Sequence, residues 1–259
     1  MEKNIFIDFH AHILPGMDHG CADVAMSIAQ LSMAAEQGID IIVATSHFYP
    51  HAESAGSFLR RRQEAWESLK ARYTKERPQV SLTPNMRQPK SSYAKGRPAV
   101  RLGAEVLICN NIDKMEGIKD LCIEGSNVLL AEMPSLREWD AKLIGTVERL
   151  REEKKLEVVL AHAERYPAGE IKKLLEKGFQ VQLNVASLTG LFPSSLAEKY
   201  INDQCVTAFG SDIHGLDNSY KKFARVMKGW GPQAEGIMEK TREFFKEDRR
   251  QGKTPEKGI

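Results

Sequence analysis

A chain of 259 residues, 42% hydrophobic and 28% charged, can bury a large core, and its formal net charge of +2 argues against a nucleic-acid partner or a broadly cationic membrane-binding surface. No apolar run approaches the roughly 18 residues that span a bilayer, and Met1-Glu-Lys-Asn runs straight into a strand-like segment, which leaves no room for a signal peptide and excludes an integral membrane protein. Cys21, Cys109, Cys122 and Cys205 are widely spaced, without a Cys-x-x-Cys pair or an Arg six residues on, so they fit reduced cytoplasmic thiols and not the loop of a cysteine phosphatase.

The first expected strand covers residues 5–9, a short apolar run that ends in His10 and His12. Residues at i and i+2 share a face of a strand, so both imidazoles point the same way. A Pro15-Gly16 turn follows, then Asp18 and His19. Residues 23–37 read as a helix, with Asp23 as N-cap, Gly38 as the stop and Val24, Ile28, Leu31 and Ala35 on one stripe. The second strand, 41–45, leads to His47. Residues 74–96 carry Pro78, Pro84 and Pro89 with Lys75, Arg77, Arg87, Lys90 and Lys95 against Glu76, which reads as a basic loop, either a solvated insertion or a flap for an anionic partner. The third strand, 100–108, contains Glu105, and the fourth, 128–133, contains Glu132. A helix over 141–155 precedes the fifth strand, 158–161, which ends at His162 with Arg165 just beyond. A helix over 170–177, stopped by Gly178, precedes the sixth strand, 180–185, which brings no strong ligand. The seventh, 207–210, leads to Asp212 and His214. The tail after Phe245 is charged and is expected to fray.

Strands alternating with helices imply a parallel sheet, and seven of them suggest a closed or nearly closed α/β barrel. Such a barrel gathers its strand C-termini on one face. The expected metal ligands there are His10, His12, His19, His47, Glu105, Glu132, His162, Asp212 and His214, six imidazoles and three carboxylates. His51, the remaining histidine, reads as a solvated loop residue. That many groups suits two or three divalent ions with bridging carboxylates, and mixed nitrogen and oxygen donors without thiolate favour manganese, iron or zinc over calcium or magnesium. The residual positive charge suits a phosphate dianion. Arg165 could grip phosphate oxygens, or could be an ordinary surface ion pair.

The stretches Asp8-Phe-His-Ala-His-Ile-Leu-Pro-Gly-Met-Asp18, Ile42-Val-Ala-Thr-Ser-His47, Gly103-Ala-Glu105, Leu130-Ala-Glu132, Ala161-His-Ala-Glu-Arg-Tyr166 and Ser211-Asp-Ile-His214 resemble, in this order, the PHP (polymerase and histidinol phosphatase) metallo-phosphoesterases. Within that superfamily the chain is most similar to the manganese-dependent protein-tyrosine phosphatases of bacterial capsule and exopolysaccharide clusters, the CpsB/YwqE type. The resemblance implies a distorted seven-stranded TIM-like barrel forming a single domain over 1–259, with the 74–96 loop as an insertion. It also implies a trinuclear metal site and direct hydrolysis of phosphotyrosine on protein, with the C-terminal segment of a bacterial tyrosine kinase as partner. Arg165 would contact phosphate, and Asp212 or His214 could serve as general acid.

Two departures stand out. The subfamily usually has Asp-Asp-Gly where this chain has Asp18-His19-Gly20, which makes the site one charge more positive, and the 74–96 insertion is long and basic. The competing readings are a small-metabolite phosphatase of histidinol-phosphatase type and a non-catalytic metal-binding regulatory barrel.

Overall fold

The computed structural model describes residues 5–74, 97–189 and 193–245. Among the described residues, nine parallel strands form two sheets. One has the order β1 (Ile7–Ala11), β2 (Ile41–Ala44), β4 (Ala99–Leu102); the other runs β3 (His47–Phe48), β5 (Glu105–Leu107), β6 (Val128–Glu132), β7 (Glu157–Leu160), β8 (Gln180–Asn184), β9 (Val206–Gly210). β2 and β3 are one barrel strand cut at Thr45-Ser46, and β4 and β5 are another cut at Gly103-Ala104. Backbone bonds carry the pairing across both cuts, from Gly103 N to Ala44 O at 2.9 Å and from Glu105 N to Ser46 O at 3.1 Å. Seven barrel positions result, at the seven segments expected from the sequence, in the distorted α/β form. The third segment is broken where a continuous strand was expected. The first runs two residues later than expected, so His10 lies inside β1.

β1 is buried along its whole length, as a strand covered on both faces must be. Phe9 packs outward on Phe244, with ring centroids 5.7 Å apart. Asp8 and His10 turn inward. The seam between β1 and β9 has no regular ladder. It is closed at its C-terminal end by Asp212 N donating to His10 O at 2.8 Å, and by Ser211 donating to both carboxylate oxygens of Asp8. Two glycines permit this closeness. A Cβ on Gly210 would lie 2.5 Å from His10 Cβ, and one on Gly20 would lie 2.3 Å from His12 Cβ. No side chain fits at either position without moving a histidine.

Helices cover the outside. α1 (Val24–Glu36) is capped by Asp23, which accepts from Met26 N at 2.9 Å. It ends at Gly38, φ +80°, where Gly38 N bonds Ala35 O and Ile39 N bonds Ala34 O. Its buried face is Ser27, Gln30, Leu31 and Ala34, rotated from the expected apolar stripe. Gln30 accounts for the rotation: its amide donates to Gly215 O at 2.8 Å and accepts from Cys21 Sγ at 2.9 Å. α2 (Ala55–Tyr73) follows β3. α3 (Ala141–Glu152) and α4 (Ala168–Leu175) lie where helices were expected, the latter stopped by Gly178. α5 (Ser195–Asn202) and α6 (Ser219–Glu243) complete the shell, with α6 kinked at Gly231-Pro232. No helix among the described residues is long and apolar enough to cross a membrane. The basic loop lies outside the described residues from position 75 to 96, as does the charged tail beyond Phe245.

Candidate metal centre

The C-terminal end of the barrel opens into a cavity of about 440 Å³ lined by His19, His47, Tyr49, Glu105, Glu132, His162, Arg165, Asp212 and His214. His10 and His12 lie fully buried at this end of the barrel. All nine expected ligands are therefore brought to one end, although they come from six barrel positions.

Glu105 is the hub. Its Oε2 lies 3.1 Å from His10 Nε2, 3.3 Å from His12 Nε2 and 3.0 Å from His47 Nδ1, while Oε1 lies 2.7 Å from His162 Nε2. Asp212 Oδ1 lies 3.5 Å from His10 Nε2 and 3.4 Å from His12 Nε2. Three groups have ligand atoms converging closely enough for one ion each: His10, His12 and Asp212; His47, Glu105 and Glu132; His12, His47 and His214. His19 joins none of these groups, but its ring stacks on His214 with centroids 4.4 Å apart. His162 joins none of them either; its Nε2 reaches Glu105 Oε1, and Glu132 Oε1 at 4.0 Å.

The donors fit divalent cations. Glu132 Oε2, His162 Nδ1 and His214 Nε2 are buried without a hydrogen-bond partner, and buried polar atoms are normally paired. The electrostatics point the same way. Burial opposes charge on His10, but Glu105 and Asp212 raise its pKa nonetheless; His47 is lifted to about 9 against burial by Glu105 and Glu132. Asp212 and Asp18 resist the upward push of burial and stay well below the usual carboxylate range. The cluster draws positive charge, which bound ions satisfy better than protons can.

Polar partners fix the side chains of the cluster. His12 Nδ1 donates to Asp18 Oδ2 at 2.8 Å, and the same oxygen accepts from His47 N at 3.0 Å. His10 Nδ1 donates to Gln182 Oε1 at 3.1 Å, which also accepts from His162 N at 2.9 Å. These bonds leave His10 Nε2 and His12 Nε2 as acceptors turned to the centre. Gln182 Nε2 donates to Asn184 Oδ1, and Asn184 Nδ2 to Asp212 Oδ2 at 2.8 Å. Arg165 Nη2 meets that same Oδ2 at 2.5 Å, so Asp212 keeps Oδ1 for the histidines. His162 and Asp212 both adopt positive φ, +32° and +49°, a conformation that L side chains rarely take.

Asp18, Gln182, Asn184 and Tyr49 have roles here that sequence reading did not assign. Gln182 and Asn184 alternate on β8, the strand expected to bring no ligand; it brings the amides that orient ligands from its neighbours. His51 is exposed, outside the centre, as expected.

The sequence profile described as capsular polysaccharide synthesis, CpsB/CapC, matches residues 6–228. The tyrosine-protein phosphatase YwqE of Bacillus subtilis (strain 168) is 26% identical over 233 residues, covering 81% of this chain and 78% of that protein. A solved structure from work on YwqE of Bacillus subtilis and CpsB of Streptococcus pneumoniae, described as unique metal-dependent tyrosine phosphatases, superposes with a TM-score of 0.72 at 22% identity, covering 93% of this chain and 95% of that one.

Proposed function

Because the chain belongs to the CpsB/CapC family of capsular polysaccharide synthesis, within the PHP superfamily, we propose that it is a metal-dependent protein-tyrosine phosphatase. Its substrate is a phosphotyrosine-bearing segment of a tyrosine kinase that serves capsular or exopolysaccharide synthesis in the cytoplasm. The observation that carries this reading is the convergence of four imidazoles on Glu105 under a cavity that also presents Arg165.

Two or three divalent ions, manganese foremost, would be held at this cluster, one by His10, His12 and Asp212 and a second by His47, Glu105 and Glu132, with His214, His19 and His162 beside them. When bound, such ions neutralise phosphoryl oxygens and make water a better nucleophile near neutral pH. The chain's own residues do the rest. Arg165, 55% exposed, can turn its guanidinium from Asp212 to two phosphate oxygens and align the ester. Asp212, kept ionised, holds Arg165 in place between turnovers. The aryl P–O bond breaks and the oxygen of water joins phosphorus, so tyrosine and phosphate leave. Phenolate is a fair leaving group, so a general acid matters less here; Asp212 is kept ionised, and burial with His12 holds the His214 pKa below the ordinary imidazole range, so neither is primed to give the proton.

No cysteine takes part. None of the four lines the cavity, and burial pushes the Cys21 thiol up to about 11 and Cys122 up to about 12. The test is turnover of a phosphotyrosyl peptide against small alkyl phosphates such as histidinol phosphate. Preference for the peptide supports the proposal, and preference for the alkyl ester moves the chain to metabolite hydrolysis.

A further inference from the structure

Tyr49 lines the cavity but is neither a ligand nor a charge. It lies two residues past His47, in the turn that leads into α2. Its carbonyl accepts from Ala52 N at 2.9 Å and from Glu53 N at 3.3 Å, which closes that turn. Its ring lies nearly parallel to His47, with centroids 5.2 Å apart and planes 16° apart, and 5.8 Å from the ring of His51. A half-buried aromatic ring is thus held at a fixed place on the wall. The other lining residues are imidazoles, carboxylates and one guanidinium. They suit ions and phosphate oxygens and offer little to the hydrocarbon part of an ester.

We propose that Tyr49 is a specificity-determining residue that receives the aromatic leaving group, packing against the phenyl ring of the substrate so that aryl phosphates are preferred over alkyl phosphates. This rests on the phosphatase reading above. Aromatic rings attract one another in offset or edge-to-face contact beyond the area they bury, whereas an alkyl ester gains only the smaller area term. A phenol is neutral near pH 7, so the ring does not repel a phosphate dianion.

Non-hydrolysable phosphonates separate ring recognition from chemistry. Binding of phenylphosphonate and of methylphosphonate to the metal-loaded protein is measured by calorimetry for the wild type and for Tyr49→Ala, Tyr49→Leu and Tyr49→Phe. We expect Ala and Leu to lower the preference for the phenyl ligand about tenfold and Phe to keep it within about twofold. Leu preserves bulk, so it reads the aromatic contribution should Ala disturb the loop. An unchanged preference in both Ala and Leu overturns the proposal. So does an equal loss of both ligands, which would make Tyr49 a support for His47, or a Phe variant as impaired as Ala. Failure of the wild type to hydrolyse phosphotyrosine would instead defeat the phosphatase reading, and the phosphonate ratio would still report on the ring.

Discussion

Asp8 on the first strand accepts two hydrogen bonds from Ser211, at 2.8 Å from its backbone N–H and 2.6 Å from its hydroxyl, across 203 residues of sequence. The pair closes the barrel directly beneath His10 and Asp212. Burial pushes the Asp8 carboxyl up to about 6, opposed by those bonds. Removing the acceptor leaves buried donors unpaired, at about 1–3 kcal/mol. Asp8→Ala should therefore lower the melting temperature by several degrees and release metal as the seam loosens. An unchanged melting temperature and metal content would show that the backbone bonds alone hold the seam.

Arg165 is argued as a phosphate contact and not as a ligand. Arg165→Lys keeps the charge and loses the planar fork, so kcat/KM should fall about 10- to 1000-fold, the range of a lost transition-state donor. Metal content and melting temperature should stay near wild type. His162→Ala should differ by losing metal as well as activity, because its Nε2 lies 2.7 Å from Glu105. Loss of metal from the Lys variant would reassign Arg165 to structure through Asp212.

Gln182 touches three site residues and offers no charge. Its amide meets His10 Nδ1, His162 N and Asn184 Oδ1. Partners of this kind contribute about 10- to 100-fold in metal affinity. Gln182→Leu, of similar volume, should weaken metal binding by that factor while the circular dichroism spectrum stays native. Metal affinity equal to wild type would mean that His10 is oriented by packing alone.

These amides show where sequence reading ran out. Seven barrel positions were legible because buried parallel strands are continuous apolar runs, and the Gly38 and Gly178 stops were legible because a positive φ favours glycine. The nine residues gathered at this end of the barrel were legible because His, Asp and Glu recur at strand ends. Uncharged Gln182 and Asn184 carried no such signal, though both lie on the inward face of β8. The burial of Asp8 and His10 in β1 was hidden, since it is tolerable only where Ser211, Gln182 and Glu105 pair with them. α6 was hidden by Gly229, Gly231, Pro232 and Gly236; the backbone does leave helical geometry at Gly231, while Phe223 and Val226 before it and Ile237 and Met238 after it bury both halves in the core.

The ion pair between Asp113 and Arg149 ties the loop after β5 to α3, at 2.8 Å and 3.1 Å. The Arg149 hydrogen bonds hold the Asp113 carboxyl below its ordinary range, against a smaller opposing effect of burial. A lowered folded pKa contributes stability that is complete above the unfolded value, about 3.9, and is lost as pH falls through the folded one. The gap in urea midpoint between wild type and Asp113→Asn should therefore be constant from pH 7 to about pH 5 and should shrink below about pH 4. A gap that persists at the lowest pH would mean that geometry and not charge stabilises the contact.

Replacing Cys21, Cys109, Cys122 and Cys205 together by Ser or Ala should leave kcat for a phosphotyrosyl peptide within a few-fold of wild type, provided the melting curve shows a folded protein. Loss of activity in a folded variant, or capture of a phosphocysteine, would contradict direct attack by water.

The most direct measurement is phosphate release from a phosphotyrosyl peptide by protein stripped with chelator and then titrated with manganese, with bound metal counted at each step. We expect no turnover in the stripped protein and recovery that saturates at two to three ions per chain. Full turnover by metal-free protein would contradict the metal centre around Glu105. Full loading without any phosphotyrosine hydrolysis would leave the centre intact and remove the phosphatase.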